Sequence, residues 1–407
     1  MSGVASPVAG TGAPPLWRVL GDEGFRLFFP LAALHGALWP FLWVVIGGLA
    51  LPLDSAVAPG TWHAHEMIVG SFGAALIGFL TTAVPEWTDT EPPRGRPLWL
   101  LAGLWGAARC VGLLGWDGGL GLAALADLVW MALLLAWLVH LSLRRRTDRL
   151  IAFMLWVALL IAAEAMTRWG MLRGKPDLAA AAAHGAGFVF LGLLGIALAR
   201  ITVPVTNLVL DPSEETSPFR PHPGRLNLSA GLVFVALAGE ALGLSEAVRG
   251  YLWIAAGAGF LDRVAENFVG RAFFRLEILG LALAAGFTGA GLLLIGASLL
   301  DAPFGQTAGL HMALMGGLGI GVLQVLSVAG LIHSGRSLPF PRGLRLAFGT
   351  MALAVLLRAG PDLGLLGHPF GAPYLAASLL WSAGLLTWLW LYRTCLGDAG
   401  QLRARGC

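Results

Sequence analysis

Residues 62–87 begin Trp62-His63-Ala64-His65-Glu66-Met67 and run on to Gly78-Phe79-Leu80-Thr81-Thr82-Ala83-Val84-Pro85-Glu86-Trp87. Two imidazoles and a carboxylate thus stand at the mouth of an otherwise apolar stretch of about 20 residues, the length that crosses a bilayer. Ionisable groups in that position are costly and by default mark function. Neutral imidazole is a good ligand for copper, iron and zinc. His63 and Glu66 are three apart and share a helix face, so Glu66 is placed to accept the free ring N–H of His63 and fix its tautomer. His65, about 200° round a regular helix, faces a different partner. One of the pair can take haem iron and the other copper, in either order.

The rest of the chain must hold these groups in a membrane. Of 407 residues, 57% are hydrophobic and only 12% charged, with 16 Trp and a mean hydropathy of +0.77. That composition is of a polytopic membrane protein. Apolar runs of roughly 17–25 residues bounded by charge, Pro or Gly give twelve spans, centred near Leu38, Gly73, Leu104, Met131, Ala158, Leu193, Val235, Ala256, Ala285, Val322, Leu353 and Leu385. With the N-terminus in the cytoplasm, 19 of the 26 cations fall inside and only Arg173, Lys175, Arg249 and Arg358 outside. This asymmetry sets both termini in the cytoplasm. It also accounts for a pI near 9.0 without nucleic acid, since no aromatic-interleaved basic patch exists. Residues 1–25 read as a disordered tail, 26–397 as one twelve-helix domain and 398–407 as a short cytoplasmic tail. Cys110, Cys395 and Cys407 suggest no disulfide.

A period of four helices runs through the pattern. Aligning the second, sixth and tenth spans on His65, His184 and His311 puts a Gly eight residues later in each, at Gly73, Gly192 and Gly319. Val84-Pro85 and Val203-Pro204 also fall at one distance from the first two histidines. The spans read as three four-helix repeats, with three histidines from three helices in one layer about 5–10 Å below the outer surface. A single His at a helix mouth is ordinarily satisfied by a neighbour; four in one layer call for a ligand. Arg109, Asp127, Glu164 and Arg168 fall in the outer halves of the third to fifth spans, where pairing offsets their cost. Glu164 and Arg168 are i,i+4 in the favourable order, and Arg109 faces Asp127 or a haem propionate. Glu240 is a further candidate for a proton route or metal ligand. His35 and His140 lie outside the layer and His222 and His368 in loops, while His333 is at the far side of the membrane.

The segment Trp62–Trp87 resembles the WHAHEM…GFL.TAVP.W signature of the NnrS family of bacterial membrane proteins. Phe25-Arg26-Leu27-Phe28-Phe29, Ala199-Arg200-Ile201-Thr202-Val203-Pro204 with Thr206-Asn207, and His311 through His333-Ser334-Gly335-Arg336 are similar to further family stretches, so the resemblance covers essentially the whole chain. It implies a twelve-helix protein carrying haem b and copper, associated with nitric oxide metabolism, denitrification and defence against nitrosative stress. The chain departs from the family pattern in the segment before Pro204, in Ile332-His333-Ser334-Gly335-Arg336 and around Leu276–Gly280, where no His occurs. More loosely, the architecture is similar to the catalytic subunit of haem-copper oxidases and nitric oxide reductases, but one His on the tenth span and no His pair on the seventh leave room for a single haem. In that reading His65 and His311 are the axial pair and His63 and His184 hold copper, with His63 and His65 open to exchange; electrons would come from quinol or a separate donor. A second class, a copper transporter or permease, uses the same histidines for a passing ion; a third is a scaffold for a membrane partner.

Overall fold

The computed structural model describes residues 14–45, 55–367 and 374–399. Its regular structure is entirely helical among these residues. The long helices are α1 Gly24–Val45, α2 Pro59–Thr88, α3 Arg96–Leu114, α4 Leu120–Arg145, α5 Ile151–Leu172 and α6 Pro176–Leu210. They continue with α7 Leu228–Ala241, α8 Glu246–Glu266, α9 Leu276–Ser298, α10 Gln306–Ile332, α11 Leu344–Ala359 and α12 Leu375–Leu396. Ten of the described helical segments are long and apolar enough to cross a bilayer. The chain is therefore a multi-pass membrane protein. The two expected spans that fall short are α7, which has only 14 residues, and α8, which carries Glu246, Arg249, Asp262, Arg263 and Glu266. Within the stretch read as a tail, Leu16–Leu20 form a short helix, because Leu16 to Leu20 is an apolar turn broken by Gly21; residues 1–13, His368 and Cys407 lie outside the described residues.

The helices close into a ring. α4 packs on α5, α8 on α9, and α12 returns to α1, where the Trp381 indole donates to the Gly36 carbonyl at 2.9 Å and Ser382 to that of Ala37 at 2.6 Å. Inside the ring stand α2, α6 and α10, with 89%, 78% and 72% of their apolar windows buried against at most 67% for any other span. A helix buried on all sides must be apolar all round and thin where neighbours cross. The glycines that share a register in these three helices do that thinning: a side chain at Gly73, Gly192 or Gly319 would strike the ring of Trp130, Trp156 or Trp381.

Two of the central helices are locally widened. α2 runs as a π-helix over Glu66–Phe72 and α10 over His311–Leu318, each returning to α-helix at the aligned glycine. Such widened turns recur at functional sites because they turn side chains away from the register of a regular helix.

The buried Arg26 of α1 reaches the end of α12, where its Nη1 donates to the carbonyls of Cys395, Leu396 and Asp398, each at 3.0 Å. These are the carbonyls that a helix C-terminus leaves without intrahelical partners, and a cation there also meets the negative end of the helix dipole. Arg26→Met is expected to destabilise the protein by about 3 kcal/mol, read as a lower melting temperature in detergent, with Arg26→Lys recovering part of the loss.

Candidate functional site

Five helices meet at a buried cluster of seven ionisable side chains. His35 comes from α1, His65 and Glu66 from α2, Arg109 from α3, Asp127 from α4, and Glu164 and Arg168 from α5. None exceeds 7% exposure. The His65 Nδ1 faces Glu66 at 3.1 Å and its Nε2 faces both oxygens of Glu164 at 3.0 and 3.1 Å. Glu66 also meets His35 Nε2 at 3.2 Å and Arg109 at 3.3 Å. Asp127 accepts from Arg109 at 2.5 Å, from Arg168 and from the Trp130 indole at 2.9 Å. Arg168 donates to Glu164 at 2.8 Å, one turn away on α5. Trp62 lies 5.8 Å from the Arg168 guanidinium and donates to Ser55 at 2.9 Å, which ties the cover of the cluster to the loop before α2.

With all three carboxyl groups ionised, the contacts assign the donors. Carboxylates only accept, so an imidazole bonded to carboxylates through both nitrogens donates twice and carries two protons. His35 needs only one: its Nε2 donates to Glu66, and its Nδ1 sits 2.8 Å from the Ser71 hydroxyl, from which it can accept. Three carboxylates are then offset by two guanidiniums and one imidazolium, and the cluster is electrically neutral, as burial requires.

Glycines make the room. A side chain at Gly70 would lie 2.5 Å from the His35 ring and 2.9 Å from Arg109, and one at Gly112 would lie 2.9 Å from the Glu66 carboxyl. Gly70→Ala is expected to cost about 1–3 kcal/mol through overpacking. Gly103→Ala, on α3 with nothing within 4 Å, is the control and should leave the melting temperature unchanged or slightly raised.

The other three histidines gather apart from this cluster. α2, α6 and α10 touch where a side chain at Gly187 would strike Leu314 at 3.0 Å and Ile68 at 3.2 Å. His184 and His311 each precede that crossing by three residues and His63 precedes it by five, so all three stand on its N-terminal side, half-buried. His311 is within electrostatic reach of His63 and His184, and Arg358 of α11 is within reach of His63 and His311. The His311 Nδ1 donates to the Thr307 carbonyl at 2.9 Å. That bond leaves the lone pair on Nε2, the tautomer a metal needs.

The structure regroups the residues singled out in the sequence. His65 joins the ion cluster with Arg109, Asp127, Glu164 and Arg168, while His63, His184 and His311 form the imidazole layer. Glu66 faces His35, His65 and Arg109, where the three-residue spacing places it with His63. Glu240 belongs to neither group, bonding Arg249 at 2.7 Å and the Trp253 indole at 2.9 Å between α7 and α8. His35, set aside in the sequence, is a full member of the cluster. An ionisable residue in the middle of a spanning helix was the available signal.

His65, Asp127 and Glu164 have ligand atoms within 4.8 Å of one another, close enough to surround a cation. Arg109 and Arg168 already supply the positive charge to those carboxylates, so the group is better matched to guanidinium than to a metal ion. A family model described as NnrS protein matches residues 19–399. No curated protein and no solved structure matches the chain.

Proposed function

The chain belongs to the NnrS family, and from that premise we propose that it is a haem protein of the bacterial inner membrane, with copper beside the haem, that binds or processes nitric oxide or a related nitrogen species. The imidazole layer on α2, α6 and α10 is the site, on the outward side of a twelve-span bundle of three repeats with both termini in the cytoplasm. The observation that carries the reading is the Nδ1 bond of His311 to Thr307, which leaves Nε2 as a free ligand atom at a half-buried position.

His63, His184 and His311 would hold the metals. His65 takes a different part here, since both its ring nitrogens are engaged by carboxylates; of the two open assignments for the α2 pair, the geometry favours His63 as ligand. Haem iron or copper, once bound, supplies an open coordination position and one-electron chemistry. The protein's own contribution is to fix ring orientation through Thr307 and to exclude water with the apolar walls of the three central helices. The neutral ion cluster holds α1 to α5 in one position against α2, and so sets the direction in which His63 points.

The test is a visible absorption spectrum of detergent-purified protein, oxidised and dithionite-reduced, with iron and copper measured on the same sample. A sharp reduced haem b spectrum that shifts on adding nitric oxide is the expected result. A colourless protein would remove the haem.

A copper permease, in which the same histidine layer binds a passing ion, is the second reading, favoured by the free Nε2 that His311 presents at a half-buried position. It predicts rapid copper exchange and transport into vesicles, neither of which a tightly held cofactor shows.

A further inference from the structure

Beyond the Gly187 crossing, α2, α6 and α10 leave a gap. It is a cavity of about 50 Å³ whose walls are apolar throughout, with Phe72 and Phe79 from α2, Phe190 and Leu194 from α6, and Leu318 and Val325 from α10. Three of its lining residues, Phe72, Phe190 and Leu318, are buried, at 6%, 3% and 3% exposure. Phe72 and Leu318 are also the last residues of the two π segments, so the cavity begins where the widened turns end. Phe79 and Val325 extend to its other side, where they line a second cavity of about 470 Å³ that contains Glu86, Arg200 and His333.

Size and chemistry select the occupant. Water held in a protein needs two to four polar partners, and an apolar cavity of this kind stays dry while accepting xenon-like guests. The wall of this one offers no donor or acceptor. A volume of about 50 Å³ admits one small molecule and excludes a lipid chain or an aromatic ring. We propose that the cavity is a docking site for a small apolar gas, held one helical crossing away from the imidazole layer. Ile68 and Leu314 meet over the bare backbone of Gly187 between the two. That the physiological guest is nitric oxide rests on the function proposed above; that a gas docks here does not.

Xenon is the probe, applied to the full-length protein in detergent by xenon NMR and to crystals under xenon pressure. Xenon is expected between Phe72, Phe190 and Leu318. Ala197→Val, which adds bulk to a residue lining the cavity, should weaken xenon binding about fivefold or more. Leu194→Ala enlarges the same space and should strengthen it, so the proposal stays testable if the filled variant fails to fold. Absence of xenon from both the wild type and Leu194→Ala overturns the proposal, as does unchanged xenon affinity in a folded Ala197→Val. A colourless protein that still takes up xenon in this position supports the cavity and removes the haem reading, which separates the two failures.

Discussion

If the protein holds haem as proposed, His311→Ala is expected to abolish its visible absorption spectrum and His63→Ala to abolish or shift it, while His65→Ala keeps its colour and loses stability. The contrast follows from which ring nitrogens are free. His311 donates through Nδ1 to Thr307 and keeps its Nε2 lone pair, whereas His65 has Glu66 on one nitrogen and Glu164 on the other. Removing a ligand typically loses the metal, and removing its orienting partner weakens affinity by about 10–100-fold. Removing the imidazolium leaves a buried cluster one positive charge short, which is a folding cost and not a spectroscopic one. Spectra and melting curves of the three variants, normalised to protein, decide it. A His65→Ala protein that folds with an unchanged melting temperature and no colour would make His65 the ligand.

Asp127→Ala should be among the most damaging single substitutions in the chain. Asp127 takes hydrogen bonds from Arg109, Arg168 and Trp130 at full burial. Its loss strands two guanidiniums with a diminished set of acceptors, and breaking a buried ion pair from one side costs about 3–5 kcal/mol. The double variant Asp127→Leu with Arg168→Leu removes one charge of each sign and is expected to recover much of that loss, because the penalty belongs to the uncompensated charge and not to the missing attraction. Thermal unfolding in detergent with tryptophan fluorescence reads both. Equal melting temperatures for Asp127→Ala and the double variant would mean that the cluster is not electrostatically coupled.

The spans were legible because a bilayer imposes length and apolarity directly on the sequence. α7 and α8 show where that logic weakens: one is short and the other charged. Glu164 and Arg168 were readable as a pair from their i,i+4 spacing on one helix. Arg109 with Asp127 required knowing that α3 and α4 face each other across a short turn. That His63 and His65 face different partners was readable from their spacing; what could not be read was that Glu66 sides with His65, because its other partners, His35 and Arg109, come from neighbouring helices. His35 was missed for a related reason. Its partners, Ser71 and Glu66, are on another helix, and pairing across helices leaves no local spacing to recognise. The glycines at 70 and 112 carried that information in principle, as side chains omitted where charged groups needed space.

The Arg26 contacts bear on how the protein is made. Arg26 is in the first long helix, and the carbonyls of Cys395, Leu396 and Asp398 that accept from it are at the very end of the last. Membrane helices are delivered to the bilayer in the order of synthesis, so this cation enters the membrane early and waits through the translation of nearly the whole chain before its acceptors exist. During that interval it must remain near the headgroups or be held by the insertion machinery, since an unpaired arginine in hydrocarbon is costly. The final locking of the ring is thus a post-translational event, and a nascent chain stopped before residue 395 carries every central histidine and the Trp381 and Ser382 bonds to the first helix while lacking the Arg26 contacts that complete the closure.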